Sequence, residues 1–156
     1  MILAAASMQL ASAADAETAT PHFLDGNWEG TLNWAPPPTE HNEPAGMKVR
    51  LHLYGEKAEV FTLGEDRRWK EIKPGKFKAV QYNFDAVIFA IDSSQGDCWD
   101  ETWSFATALD NSNRLITRFS RVVSNVRCMK PDYESFGAQA AGLMTQQPAE
   151  SAYTAH

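Results

Sequence analysis

Apolar and polar side chains alternate along most of the middle of this chain. Over residues 24–34, Trp28, Gly30, Leu32 and Trp34 fall on one side, and Asn27, Glu29, Thr31 and Asn33 on the other. The same period of two sets Met47, Val49, Leu51 and Leu53 against Lys48, Arg50, His52 and Tyr54. A period of two marks strands with one buried face. Further strands are expected over 58–63, 67–72, 76–83 and 86–92, separated by turn sequences at Gly55-Glu56-Lys57, Gly64-Glu65-Asp66 and Pro74-Gly75. Ala35-Pro36-Pro37-Pro38 ends the first strand, because proline cannot donate to a ladder.

The last two strands form a long hairpin, 98–109 and 114–128, about the turn Asp110-Asn111-Ser112-Asn113. Trp99, Glu101, Trp103, Phe105, Thr107 and Leu109 share one face of the first arm. Leu115, Thr117, Phe119, Arg121, Val123 and Asn125 share the matching face of the second. Apolar matching brings Glu101, Trp103 and Arg121 within reach of one another. Folding the arms together also brings Cys98 and Cys128 level at the hairpin's open end, where a disulfide would enclose about thirty residues and stabilise by about 3–4 kcal/mol in the chain-entropy view.

Roughly eight short strands joined mostly by tight turns predict an all-β domain over 23–130, an antiparallel up-and-down barrel. Closure leaves no free edge; a two-sheet sandwich has the same strand count. After Pro131 a short helix is expected over 132–144, interrupted by Gly137 and Gly142, and then a disordered tail to residue 156. The start of the chain, residues 1–13, is small and apolar and ends Ala11-Ser12-Ala13, like the core and cleavage site of a secretory signal, with a flexible leader over 14–22. Together with the cysteine pair this points to a secreted or periplasmic protein.

Composition narrows the function. With 156 residues, of which 44% are hydrophobic, one domain with a substantial core can form. A net charge of -6 argues against general nucleic-acid binding, and the basic stretches 67–70 and 73–78 are short and mixed. No stretch is long and apolar enough to be a transmembrane span. His22, His41, His52 and His156 are scattered, without metal-ligand spacing. No nucleophile-elbow or phosphate-loop sequence occurs, so no catalytic residue, cofactor or metal site is assigned, and an enzyme is the less favoured reading.

The segment Leu24-Asp25-Gly26-Asn27-Trp28 places Gly-x-Trp on the first strand, which resembles lipocalins and their calycin relatives. That resemblance implies a tryptophan closing one end of the barrel, an arginine (Arg121 or Arg127) packed across its indole, and a small hydrophobic ligand. Trp28, Trp34, Leu51, Trp103, Phe105 and Phe119 are then expected to line or plug the interior, with Glu101 and Arg121 orienting a ligand's polar end. The leading expectation is an exported binder of a small apolar or amphipathic molecule. The alternatives are an extracytoplasmic protein-interaction module with a filled core, and a barrel enzyme of isomerase or cyclase type using Glu101. Thiol titration checks the covalent part: native protein should show no free thiol and reduced protein two, whereas two reactive thiols before reduction would remove the bridge.

Overall fold

The structure, a computed structural model, describes residues 22–36, 44–93, 99–125 and 135–148. Nine strands follow in order: β1 Gly26–Trp34, β2 Gly46–Tyr54, β3 Lys57–Leu63, β4 Trp69–Glu71, β5 Lys78–Tyr82, β6 Asp85–Ser93, β7 Asp100–Leu109, β8 Arg114–Ser124 and β9 Phe136–Gln147. Each long strand pairs with its sequence neighbours, β9 returns to pair with β1, and β2 pairs with β3, so eight strands close a meandering antiparallel barrel. β4 is a short spur on the upper half of β3. Among the described residues no helix is long and apolar enough to cross a membrane.

Period-two patterning determines which face turns inward. Trp28, Leu32, Val49, Leu51, Val60, Ile88, Phe105, Leu115, Phe119 and Met144 form one continuous core, while the residues between them face outward. Tight turns join the strands at one end. Gly55 takes φ 62° and Asn83 φ 51°, left-handed values that suit glycine and asparagine. At the expected turn after β7, Asp110 accepts hydrogen bonds from the Ser112 and Arg114 amides at 2.8 and 2.9 Å and pairs with the Arg114 guanidinium. This is the closed end. Trp28 seals it, its indole N–H donating to the Leu24 carbonyl at 2.8 Å.

The expected helix over 132–144 is overturned: from Phe136 onward this segment is strand β9. The barrel domain therefore extends beyond residue 130, and the eighth wall strand comes from this segment, while the predicted strand at 67–72 supplies only the spur. The physical reason is the slot it fills. β9 lies between β1 and β8, which carry Trp34, Leu32 and Phe119 inward, and β9 turns its small Ala138, Ala140 and Gly142 toward them. Cys98, Cys128 and Arg127 lie outside the described residues, as do the signal-like segment and the leader's residues 14–21.

Closure brings β1 and β9 unusually near each other. A Cβ placed on Gly142 would land on the Thr31 carbonyl, and one on Gly30 would meet Met144 backbone at 2.9 Å. Glycine at such inward corner positions lets a small barrel bend. Gly142→Ala should therefore cost about 2–4 kcal/mol in urea unfolding, beyond ordinary overpacking because the obstacle is backbone; unchanged stability would contradict this closure.

Candidate functional site

β1, β6 and β8 end, and β2, β7 and β9 begin, at the end opposite Trp28, called here the loop end. Inward residues near the strand termini at this end form a mixed aromatic and charged cluster. Glu101 comes from the start of β7 and Arg121 from the end of β8, diagonal neighbours across one ladder because Trp103 stands directly opposite Arg121. Arg121 donates from Nε to Glu101 Oε2 at 2.8 Å, and its Nη2 lies 2.6 Å from the same oxygen. Lys73 reaches the other carboxylate oxygen, Oε1, and also donates to Asp92 on β6 at 2.7 Å. Lys76 lies 3.9 Å from Asp92 at the rim.

These charges sit among rings. The Arg121 guanidinium lies 4.9 Å from the Trp103 ring centroid and 5.5 Å from that of Phe136, and Lys73 lies 5.6 Å from Trp99. Cation–π contact of this kind favours a partly desolvated cation. Behind Arg121 an aromatic chain runs inward: Trp34 to Phe119 at 6.2 Å, Trp103 to Phe119 at 5.5 Å, Phe119 to Phe105 at 5.0 Å and Phe105 to Phe77 at 6.0 Å. Trp34 and Trp103 are only half-buried, whereas Phe105 is fully enclosed, so the chain leads from the loop end into the core.

Glu101 is only 2% exposed, so its charge survives through its partners. Burial alone would raise its pKa. Hydrogen bonds from Lys73 and Arg121 outweigh that, with help from the Trp103 indole facing the carboxylate, and hold it below the usual glutamate range. Lys73 likewise holds the Asp92 carboxyl low, helped by the Ser93 amide. For Lys73 itself burial works downward, but its hydrogen bonds to Asp92 and Glu101 win and push its pKa up.

Of the residues expected to form a site, the structure gathers Trp34, Trp103, Phe119, Glu101 and Arg121 at the loop end, with Phe105 beneath them. Trp28 and Leu51 stand opposite each other in the closed half. Of the two arginines expected to pack across Trp28, Arg121 does not, because it belongs to the other end, over Trp103 and Phe136; Arg127 lies outside the described residues. Lys73 and Asp92 were missed. Lys73 reads as an ordinary turn residue, and its φ of 49°, which aims it back across the barrel seam, leaves no mark in the sequence. Asp92 ends an apolar run in phase with the inward Ile88 and Ala90, while Ile91 faces out, and nothing in that run hints at a lysine partner. No family model, curated protein or solved structure matches this chain.

The network predicts a pH profile. Glu101 and Asp92 have depressed folded-state pKa values, so their contributions are full above the unfolded range and vanish as pH falls through the lowered values. The Lys73 contribution is full below its unfolded value of 10.5 and vanishes as pH rises through its raised one. Unfolding stability should be level from about pH 5 to 10 and fall below about 4. Glu101→Gln should lower neutral-pH stability by about 2–4 kcal/mol, because two cations lose their anion, and flatten the acid limb. A wild-type acid limb retained in Glu101→Gln would show that the carboxylate is not the group responsible.

Proposed function

We propose that this barrel is an exported carrier or sensor of a small amphipathic molecule, taken up at the loop end. The carrying observation is the arrangement of Arg121. Two of its nitrogens are fixed on Glu101, and its guanidinium lies over the Trp103 and Phe136 rings. A guanidinium has five N–H donors, so three remain in a pre-set orientation for a carboxylate or similar polar end. Trp34, Trp103 and Phe119 offer an apolar surface beside it. Apolar lining with a few fixed polar groups is the usual make-up of a small-molecule site. Export rests on the sequence of residues 1–13 and on the cysteine pair. The lipocalin-like reading is supported by the closed eight-strand meander and by Trp28 at its sealed end.

A second reading, an interaction module with a filled core, draws on the closed half, where Trp28, Leu51, Leu53, Ile88 and Met144 show at most 2% exposure. In the preferred reading the ligand therefore lies against the loop-end aromatics rather than down the barrel axis. The enzyme reading is the least favoured, because cations on both oxygens of Glu101 make it a poor proton acceptor.

Titration of tryptophan fluorescence with long-chain fatty acids, retinoids and terpenoids tests the proposal. At least one class should give saturable quenching that diminishes in Trp103→Phe. In Arg121→Gln, confirmed folded by its melting curve, a carboxylate ligand should bind about 10–100-fold more weakly while its alcohol analogue changes little. No saturable response across the panel would favour the filled module.

A further inference from the structure

The outer wall of the barrel has two unlike halves. Across β1 to β3 it is charged: Glu29 pairs with Arg50 at 3.1 Å and His52 with Glu59 at 3.2 Å. Across β5 to β8 the wall carries an open groove of about 480 Å³. Its floor is Ala106 and Ala108 on β7, whose small side chains lower the surface between taller neighbours. One ridge is formed by Val80, Tyr82 and Val87, the other by Ile116. Tyr82 is 76% exposed, Val80 61%, and Val87 and Ile116 48% each. The patch continues to Leu143 beyond Ile116, and at the closed end to Phe84, which stacks on Phe23 at 5.0 Å. Exposed apolar side chains grouped in this way mark interaction surfaces, whereas singly scattered ones do not.

Two charges, Asp85 and Arg118, interrupt the groove. The ladders align Val80, Val87, Ala106 and Arg118 in one row, and Tyr82, Asp85, Ala108 and Ile116 in the next. Asp85 on β6 and Arg118 on β8 thus stand diagonally across the alanine floor of β7. Among the described residues neither makes an ion pair. A two-fold axis lying across that floor would set Arg118 of one copy over Asp85 of the other, and reciprocally, while Val87 moves over the partner's alanines. A surface that carries its own complement is what an isologous dimer requires.

We infer that this chain forms a two-fold dimer through the outer face of β5 to β8, sealed by reciprocal Arg118–Asp85 pairs around an apolar centre. The groove lies on the outer wall and uses none of the inward residues at the loop end, so the inference stands apart from the ligand reading.

Sedimentation velocity of the full chain tests it. Wild type should be dimeric at micromolar concentration. Arg118→Asp and Asp85→Arg should each weaken the dimer by about a hundredfold, since like charges then face each other. Mixed in equal amounts, the two variants should form a heterodimer, because Asp meets Arg at both pairs. Wild-type protein that stays monomeric to several hundred micromolar, which would leave the groove to another occupant, would overturn the inference. So would single reversals that dimerise like wild type, or a mixture of monomeric variants that fails to associate. Unaltered thermal melts of the single variants separate lost association from lost folding.

Discussion

Trp34 and Phe119 belong to strands that are not neighbours, and the one residue between them is Ala140, paired with both. The rest of the structure depends on this spacing. β9 closes the barrel by entering a slot whose walls already carry large inward rings, and only small residues fit there. Ala138, Ala140 and Gly142 let those rings come together across the strand, with Met144 filling the wider space nearer Trp28. Without β9 the first and eighth strands have free edges, and the aromatic surface at the loop end has no continuity between Trp34 on one strand and Trp103 and Phe119 on the others.

The barrel is weakest where β3 meets β5. A single rung, Lys57 opposite Lys78, joins them, since the upper half of β3 pairs with the spur instead. Polar ties bridge this seam at both ends. At the closed end Asp25 accepts from the Gly55 amide at 2.9 Å and from Gln81 at 2.8 Å. At the loop end Lys73 joins the segment after the spur to Asp92 and Glu101. A buried carboxylate is costly unless well paired. Here the pairing stitches the seam and also orients Arg121, so the same interaction supports closure and builds the candidate site.

Much of this was legible in the sequence. Alternation placed Trp28, Leu32, Val49 and Leu51 inward, and apolar matching about the turn at Asp110 brought Glu101, Trp103 and Arg121 within reach of one another; the register itself, Trp103 opposite Arg121, is two residues away from the one that sets positions 98 and 128 level. Two things were not legible, for different reasons. The β9 sequence is rich in alanine, glycine and glutamine, with none of the β-branched run that marks a strand; its state is imposed by the slot it fills, so local preference misled. The Lys73 contact joins residues far apart in sequence through a turn whose direction depends on backbone geometry. The outer groove also escaped notice, because Ala106 and Ala108 read as bland outward positions until their taller neighbours are known.

Phe136–Gln147 closes the barrel as a strand between β1 and β8, and the architecture stands or falls with it. Nuclear Overhauser contacts in isotope-labelled protein test it directly. Backbone contacts from residues 136–147 to both Asn33–Glu29 and Arg121–Arg114, running antiparallel, are the predicted result. Sequential amide–amide contacts and helical carbon shifts over 136–147, with no contact to either strand, would contradict the account.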